Sequence, residues 1–417
     1  MYISLRRRPS GNGPVDSPPD GLVPSVGGNV VALGLTSLFT DISSEMVTAV
    51  LPLYLTFELR LSATQFGVID GLTQAVTALT LLAGAVVADR SRRYKEVAFA
   101  GYAVSAGCKV GLLAVRSSWM PLTGMLFLDR TAKGLRTPPR DSLISLSAPP
   151  GRLGSAFGVH RALDTTGAVL GPFVAFLLLF AAPGAYSSVF LISFCVALVG
   201  VGILAVFVDK IRDAGPVHDR VLFGAVAELV RMPALRRLLA AAALLNVLTI
   251  SDAFVYLTLQ HRSSFQSRFF PLLFVGTAVA YLALAVPFGR LADGIGPRRV
   301  VAGGYVLLLC AYGSLLLHDP GPLAILAVLA LLGGYYAATD GVLMALASTV
   351  VGVDRRATGL ALVATVVAGS RLVSSTGFGF LWSRMGPRAT VVTFLVALTV
   401  ALPVAVRLFA ASARSRS

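Results

Sequence analysis

Long apolar stretches alternate with short polar segments along nearly the whole chain. Each stretch approaches the ~20 residues that an α-helix needs to cross a lipid bilayer. Backbone N–H and C=O groups find no water in hydrocarbon, so a stretch of this kind must satisfy them within a helix. We therefore predict twelve membrane-spanning helices, near residues 29–57, 66–88, 96–115, 119–147, 154–180, 186–208, 236–259, 269–291, 300–317, 322–350, 357–382 and 389–410.

The composition agrees with a lipid environment for most of the chain. Hydrophobic residues make up 56% of the 417 positions and charged residues 13%, whereas soluble domains carry about 25% charged residues. The net charge of +15 would also suit a nucleic-acid-binding protein, but most Lys and Arg residues fall in the termini and the even-numbered loops. Because cytoplasmic loops of membrane proteins are enriched in these residues, the distribution predicts cytoplasmic termini and no nucleic-acid partner.

The chain divides into two halves of six predicted spans. Residues 1–28, rich in Arg, Pro and Gly, predict a disordered cytoplasmic tail rather than a signal peptide. Residues 29–208 and 236–410 are the two predicted six-helix bundles, joined by a cytoplasmic linker at 209–235 and followed by a cytoplasmic tail at 411–417.

The two halves repeat weakly at matching positions. Three charges within predicted spans recur in corresponding spans: Asp41 with Asp252, Asp141 with Asp340, and Arg161 with Arg371. Such a repeat predicts an all-α membrane fold of two pseudo-symmetric six-helix bundles. The substrate site of such a fold lies between the bundles near the bilayer midplane, and rocking about it gives alternating access.

Two loops carry related charged motifs. The relevant residues are Asp89, Arg90 and Arg93 after span 2, and Gly289, Asp293 and Arg298 at the end of span 8. With these loops, the chain resembles the major facilitator superfamily from about residue 29 to residue 410. That family has a Gly-x-x-x-Asp-Arg/Lys-x-Gly-Arg-Arg/Lys loop at both places; here Ala85 and Gly294 depart from it. The resemblance implies the fold of that family and a latch that closes the cytoplasmic face through these loops.

Two further elements resemble the same family. Arg130 with Gly134 resembles an Arg-x-x-x-Gly element of span 4 that is implicated in proton coupling. In span 5, a glycine pattern associated with antiporters is matched by Gly158, Gly167, Gly171 and Pro172. Close helix packing through small residues is an alternative explanation of this spacing.

Span 1 carries two carboxylates. Asp41 and Glu45 are four residues apart and therefore share one helix face. Two carboxylates in a low-dielectric cavity repel each other, so one of them is expected to take up a proton. The pair is a candidate for proton or cation coupling, and contact with a cationic substrate group or a static ion pair are the alternatives.

Span 4 is unusually rich in charge. Arg130 lies roughly 15 Å from the outer end of the span at 1.5 Å per residue, which is near the midplane. Lys133 lies one turn further along, on a stripe with Asp129. Because charges at this depth usually face a cavity or a partner, Arg130 and Lys133 are candidates for substrate contact or proton coupling.

The cytoplasmic part of span 4 has a different expected role. Arg136, Arg140 and Asp141 are predicted to anchor this end of the helix or to form gating salt bridges. Pro138 and Pro139 are predicted to interrupt the helix here.

Span 5 brings three polar residues onto one face, His160, Arg161 and Asp164. His160 either titrates near neutral pH or bonds a neighbouring carbonyl. Arg161 is expected to pair with Asp41 or Asp164, and its counterpart Arg371 with Asp252 or Asp340. Three aromatic residues are candidates for the wall of the cavity in the second half, with packing at the interface or in the core as the alternative: Tyr256, Tyr335 and Tyr336.

These observations favour a proton-coupled antiporter that exports a small organic molecule by alternating access. The cations within the spans also suit a proton-coupled symporter or a facilitator for an organic anion, a phosphate ester or a metal chelate. A non-transporting membrane sensor is an alternative from another class.

Other classes find no support in the residues. The four His are scattered and the three Cys lie apart in apolar spans, so we expect no metal site and no cofactor. A nucleophile elbow or a phosphate-binding loop is not recognisable, which disfavours an enzyme or an ATP-driven pump. The preference for Arg over Lys suggests a GC-rich bacterium, and hence a cell membrane, in which we expect a functional monomer.

Overall fold

The computed structural model describes residues 27–91, 93–115, 119–149, 152–210, 228–263, 265–317, 321–351 and 356–414. Nearly all of the described chain is helical, and no strand occurs in it. Most of the predicted N-terminal tail and most of the predicted linker lie outside the described residues.

Six helices form the first half. They are α1 (Gly28–Leu53, continued by a π-helical turn at Tyr54–Glu58), α2 (Ala63–Ser91), α3 (Tyr94–Ala114), α4 (Trp119–Ser147), α5 (Leu153–Ala181) and α6 (Tyr186–Phe207).

The second half follows with α7 (Pro233–Val247), α8 (Asp252–Arg262), α9 (Pro271–Ile295), α10 (Pro297–Leu315), α11 (Pro322–Val350) and α12 (Arg356–Arg414). A short 3-10 turn at Ser267–Phe269 precedes α9.

Two Gly-Pro turns redirect the chain in the second half. Gly296, with φ 93°, ends α9, and Gly386, with φ 80°, bends α12 into a first arm (356–385) and a second arm (387–414). Glycine tolerates this left-handed backbone because it has no Cβ. The Pro that follows each glycine suits the first turn of the next helix.

The described helices make the twelve crossings that the sequence predicts. Eight segments are long and apolar enough to cross a membrane, and one of them, Thr358–Ala411, holds both arms of α12. Segment Pro233–Arg262 joins α7 and α8 into a single crossing. Helices α2, α4 and α10, which fall outside this set of segments, complete the number.

Side-chain bonds tie helix ends together on one face of the molecule. Asn29, at the start of α1, donates to Ser147 Oγ at the end of α4 over 2.6 Å and accepts from the Asp209 backbone after α6 over 2.8 Å. Arg237 of α7 bonds the Ala411 carbonyl over 2.9 Å, joining the start of the second half to its end. We call this face, which carries the start of α1 and the end of α12, the terminal face, and the other the opposite face.

Each half is held together by its own helix contacts. In the first half, α1 packs on α5 and α6, α2 on α4, and α3 on α4 and α6. In the second half, α7 packs on α12, and both α9 and α10 pack on α11. The halves meet chiefly where α2 packs on α12 and α5 packs on α9, a pair of contacts related by the internal repeat.

Two details of the spans differ from the sequence prediction. Helix α4 continues through Pro138 and Pro139 without a break. The two prolines remove the helical donors to the Gly134 and Leu135 carbonyls, while Thr137 Oγ1 bonds the preceding carbonyl, that of Lys133, over 2.8 Å.

The second difference is the seventh span, which was predicted as one helix and is broken between α7 and α8. Tyr312 Oη accepts a hydrogen bond from the Ile250 backbone over 2.6 Å and donates to the Leu248 carbonyl over 3.2 Å. Ser374 Oγ donates to the Thr249 carbonyl over 2.6 Å. These side chains replace the helical hydrogen bonds that the break removes.

Candidate functional site

A cavity of about 570 Å³ lies between the two halves. A volume of this size falls within the range of small-molecule sites. Both halves contribute ionisable or phenolic side chains to its wall: Asp70, Arg130, Lys133, Asp252, Tyr305, Tyr335, Tyr336, Asp340 and Arg371.

Hydroxyl contacts between α2 and α12 close the cavity toward the opposite face. Thr64 Oγ1 and Ser383 Oγ are 2.9 Å apart. Ser375 Oγ donates to Asp70 Oδ2 over 2.6 Å. Both contacts join the first half to the first arm of α12.

Aromatic contacts complete this closure. The rings of Phe66 and Phe254 meet edge to face with centroids 4.9 Å apart, and Phe176 of α5 stacks on Phe269 at 5.9 Å.

Toward the terminal face the cavity is accessible. The side chains of Arg161 and Asp340 are 77% and 51% exposed there. They belong to different halves and are close enough to interact electrostatically.

The carboxylates of α1 share one cation. Lys133 Nζ lies 3.7 Å from Asp41 Oδ1 and 3.7 Å from Glu45 Oε1. Lys133 also lines the cavity. The three residues that the sequence singled out in spans 1 and 4 are thus brought together, with the lysine between the acids and the cavity.

Asp41 has a second acidic neighbour, on α5. The side chains of Asp41 and Asp164 lie within hydrogen-bonding reach of each other. Asp164 is also 3.7 Å from Arg140 Nη1 and 3.6 Å from Arg161 Nη1. Arg161 pairs with Asp164, one of the two acids expected for it.

His160 is buried beside this cluster. Its Nε2 is 2.9 Å from Ser37 Oγ, and the Arg140 guanidinium reaches the same hydroxyl at 3.4 Å. His160 therefore bonds a hydroxyl of α1, where the sequence suggested a carbonyl or a titrating role. Arg140 also binds Asp141 at 2.9 Å, so these two predicted gate residues pair with each other.

Arg136 was expected in an anchoring or gating role at the end of the span, and its surroundings differ. Its side chain is only 2% exposed, and its guanidinium lies 4.1 Å from the centre of the Tyr102 ring. Among the described residues it has no carboxylate within ion-pair distance. The Arg136 side chain points from α4 toward α3, where stacking on the Tyr102 ring takes the place of a salt bridge.

Arg130 lies in the cavity wall as expected. Its Nη2 donates to Thr48 Oγ1 over 2.9 Å.

The second half supplies a matching set of residues. Tyr336 Oη donates to Asp252 Oδ1 over 2.7 Å. Arg371 lies 4.0 Å from Asp340 Oδ1 and lines the cavity, so it pairs with one of the two acids expected for it.

Tyr256 does not line the cavity, and of its two expected places it occupies the packed one. It is buried against Phe270 and Phe274 and donates to Thr277 Oγ1 over 2.7 Å. Tyr256 and Tyr336 both lie in predicted spans of the second half, so the sequence does not distinguish them. The rotation of each helix about its axis decides which tyrosine faces the cavity.

The predicted latch residues lie at the terminal face. The side chains of Asp89 and Arg90 are outside the described part of the chain. Arg93 is exposed just before α3, Asp293 is exposed at the end of α9, and Gly289 and Arg298 are half-buried nearby.

The glycines of the α5 pattern differ in what surrounds them. A Cβ on Gly167 would lie 2.6 Å from the Leu38 carbonyl oxygen, and one on Gly171 would lie 2.7 Å from that of Ile42. Both glycines, and the buried Pro172, therefore let α5 approach α1 closely. Gly158 faces open space.

Sequence reasoning missed Asp70 of α2. It lines the cavity and accepts hydrogen bonds from Ser375 and, over 3.3 Å, from Gln74. Its presence inside a predicted span was the available signal, by the same cost argument that identified the other charges.

A buried ion pair was also not predicted from the sequence. Lys109 of α3 binds Asp129 of α4 at 2.9 Å, away from the cavity.

A cavity between two six-helix halves, lined with ionisable residues at membrane depth, defines a secondary transporter. The sequence profile of the Major Facilitator Superfamily matches residues 33–374. The chain therefore belongs to the Major Facilitator Superfamily, and it is a membrane transporter rather than an enzyme.

Relatives agree with this assignment. An uncharacterized MFS-type transporter of Methanocaldococcus jannaschii is 29% identical over 371 residues, which covers 87% of this chain and 90% of the relative. An uncharacterized protein of Mycobacterium tuberculosis is 30% identical over 143 residues, 34% of each chain.

Solved structures share the fold. The nucleoside transporter NupG superposes with a TM-score of 0.78 at 14% identity, covering 91% of this chain and 98% of that one. A bacterial homologue of the human lysosomal transporter Spinster, in an inward-facing and occupied conformation, gives 0.70 at 17% identity over 92% and 96% of the two chains. Identities this low indicate a common fold alone.

Proposed function

We propose that this transporter is a proton-coupled antiporter that exports a small organic molecule by alternating access. The observation that carries the proposal is the position of Lys133. Its ammonium group lines the cavity and lies 3.7 Å from each of the carboxylates of Asp41 and Glu45.

This arrangement links proton binding to the cavity. While both carboxylates are ionised, they hold Lys133 electrostatically; a proton on either one weakens that hold. A substrate in the cavity and a proton on the acids therefore compete through one lysine. Competition of this kind is what antiport requires, because the two ligands must bind in turn.

The contact between Asp41 and Asp164 supports proton binding at this place. Two carboxylates repel at hydrogen-bond distance, and a proton shared between them converts repulsion into a hydrogen bond. The residues lie on α1 and α5, so loss or gain of that proton acts on the packing of two helices.

Alternating access follows from the contacts between the halves. In the observed state α2 and α12 meet at the opposite face and the cavity is accessible from the terminal face. The alternate state separates these contacts and closes the terminal face, where Asp89, Arg90, Arg93, Asp293 and Arg298 are the proposed latch.

Arg130 favours a second candidate function. It has no carboxylate within ion-pair distance among the described residues, which suits an organic anion carried by a symporter or a facilitator. In that case protons and substrate move in the same direction, or the substrate moves without protons.

The orientation is part of the proposal. The helices that flank the cation-rich loops end at the terminal face, so by the positive-inside rule we infer cytoplasmic termini and a cavity that opens to the cytoplasm of a bacterial cell. One chain encloses the whole cavity, which supports a functional monomer.

The test uses inverted membrane vesicles with an acidic interior and a pH-sensitive dye. A panel of organic cations, organic acids, amphoteric compounds and metal chelates is added to vesicles that contain wild type, Asp41→Asn or the matched control Glu58→Gln. Glu58 is exposed at the end of α1, outside the cavity. We expect at least one compound to release protons from the vesicles with wild type and the control, and not with Asp41→Asn.

Two results would contradict the proposal. Saturable compound uptake with no proton response indicates facilitated diffusion or another coupling ion. Proton movement in the same direction as the compound indicates symport.

A further inference from the structure

We propose that the transported molecule is amphoteric, with an anionic group that binds Arg130 and a cationic group that binds Asp252. The inference rests on the proposed function only in taking this cavity as the transport site. Its basis is a comparison of the ionisable residues in the cavity wall, of which Lys133, Asp340 and Arg371 form ion pairs and Asp70 accepts two hydrogen bonds.

The paired residues can be set aside first. Lys133 is held by Asp41 and Glu45 at 3.7 Å each. Arg371 and Asp340 form a pair at 4.0 Å.

Asp70 is satisfied by hydroxyl and amide donors. It accepts from Ser375 over 2.6 Å and from Gln74 over 3.3 Å. Asp70 and the paired residues Lys133, Arg371 and Asp340 therefore gain less from contact with a charged substrate than an unpaired group does.

Arg130 is the cation that is left in the first half. Its recorded partner is a neutral hydroxyl, that of Thr48, at 2.9 Å. No carboxylate oxygen of the described residues lies within 4.0 Å of it, and most of its five donors are free for a ligand. A planar guanidinium of this kind binds carboxylate or phosphate groups in a bidentate manner.

Asp252 is the anion that is left in the second half. Its recorded hydrogen bond comes from Tyr336, at 2.7 Å, and the described cations lie beyond ion-pair distance. It stands at the start of α8, directly after the break in the seventh span. Discontinuous helices of this kind mark substrate sites in other transporters.

The surroundings of Asp252 suit an organic cation. Tyr305, Tyr335 and Tyr336 line the same wall, with ring centroids 5.3 Å and 5.0 Å apart in sequence order. Aromatic faces attract ammonium groups, which adds to the attraction of the carboxylate.

The two unpaired groups lie on opposite halves and have opposite charge. A substrate with a single charge leaves one of them without a partner, whereas an amphoteric substrate pairs both. Such a molecule also bridges the halves, so its binding is coupled to their relative position.

The experiment measures binding to the purified full-length protein in detergent by calorimetry. The probes are 4-(aminomethyl)benzoate with benzylamine and benzoate, and a series of linear ω-amino acids of increasing length with the matching amines and acids. We expect the best amphoteric probe to bind at least about tenfold more tightly than either of its singly charged analogues, which is about 1.4 kcal/mol.

Variants assign the two ends of the probe. Arg130→Gln is expected to remove the preference over the matching amine, and Asp252→Asn the preference over the matching acid. Arg384→Gln, at an exposed arginine that stacks on Phe380, is the control and keeps both preferences. A monodisperse size-exclusion profile shows that each variant is folded, and Arg130→Lys, which keeps the charge, retains part of the preference.

The outcomes separate this inference from proton coupling. If a singly charged analogue binds as tightly as the amphoteric probe, or if no amphoteric probe binds, the inference is wrong. If the amphoteric preference is present but vesicles show no proton movement, the inference stands and the proposed antiport fails. If singly charged compounds alone drive proton release, antiport stands and the inference fails.

Discussion

Two lysines within the membrane-spanning helices show how the surroundings of a charge decide its role. Lys133 is 28% exposed, faces the cavity and shares two carboxylates at 3.7 Å. Lys109 is 3% exposed and binds the Asp129 carboxylate at 2.9 Å, which also accepts a hydrogen bond from Ser105 over 2.6 Å. The contacts of Lys133 are longer and shared between two carboxylates, so a ligand can replace them. The short Lys109–Asp129 pair is buried and fixes α3 against α4.

The buried Lys109–Asp129 pair predicts how single and double substitutions change the free energy of unfolding. Lys109→Met leaves Asp129 buried without its cation, and removal of one partner from such a pair costs roughly 3–5 kcal/mol. Replacing both residues, as Lys109→Met with Asp129→Leu, removes the uncompensated charge and should recover most of the loss. Chemical unfolding of the purified protein in detergent measures both changes.

The control is an exposed ion pair. Lys210 binds Glu96 at 3.0 Å with 65% of its side chain exposed, so Lys210→Met should cost about 1 kcal/mol or less. If Lys109→Met is equally mild, Asp129 reaches water or another cation, and the pair does not fix α3 on α4.

At the scale of elements, the broken seventh span depends on side chains from other helices. Tyr312 belongs to α10 and Ser374 to the first arm of α12, and together they bond three backbone groups of the break. The break places Asp252 in the cavity wall. The shape of one element is thus set by two others.

Tyr312→Phe should destabilise the fold measurably. The change removes one hydroxyl and leaves two buried backbone groups without their partner, each of which costs about 1–3 kcal/mol. Thermal unfolding followed by circular dichroism tests this expectation. Tyr281→Phe, on α9, has no recorded hydrogen bond in the described chain and should leave the melting temperature unchanged; equal effects would show that water replaces the Tyr312 hydroxyl.

A second element-scale prediction concerns the close approach of α2 to α12. A Cβ on Gly71 would lie 2.9 Å from the Cα and the carbonyl oxygen of Leu372. Gly71→Val should therefore push the helices apart and favour the state that is open at the opposite face. In a cysteine-free background that carries Ser375→Cys, we expect several-fold faster labelling by a membrane-impermeant maleimide.

Gly369→Val provides the matched control, because a Cβ at Gly369, also in the first arm of α12, meets open space. Unchanged labelling in Gly71→Val would mean that α12 shifts locally while the opposite face stays closed.

The number of helices was predictable because an apolar stretch must be long enough to cross the hydrocarbon core of the membrane. Predicted limits of 119–147 and 322–350 coincide with α4 and α11. The rotation of each helix about its axis is set by packing, which an apolar stretch does not encode. For that reason the sequence could not decide whether Tyr256 lines the cavity or packs in the core, and it could not pair Asp70 with Ser375, which is distant in the chain.

At the scale of the whole molecule, the two halves are fixed in one state by contacts at the opposite face. Thr64 of α2 and Ser383 of α12 approach to 2.9 Å between hydroxyl oxygens, so paired cysteines at these positions are within reach of a disulfide. Thr64→Cys with Ser383→Cys, made without the native Cys108, Cys195 and Cys310, should lock the opposite face on oxidation. Transport into proteoliposomes is expected to stop and to return on reduction.

The single variants Thr64→Cys and Ser383→Cys are the controls, since neither can form the bridge. Full transport by the oxidised double variant would show that the opposite face opens without separation of these helices, which would exclude rocking of the halves.

The seal at the opposite face has a thermodynamic consequence. Its hydrogen bonds are donated by the hydroxyl groups of Thr64 and Ser375 and by the Thr64 backbone N–H, which Ser383 Oγ accepts, and no ion pair joins the described parts of the two halves. Hydrogen bonds of this kind contribute about 0.5–1.5 kcal/mol each, so the free energy that a bound ligand must supply to break them is small. Because no ion pair has to be broken at this face, the halves can exchange states in both directions, and the gradients of cargo and protons across the membrane set the direction of net transport.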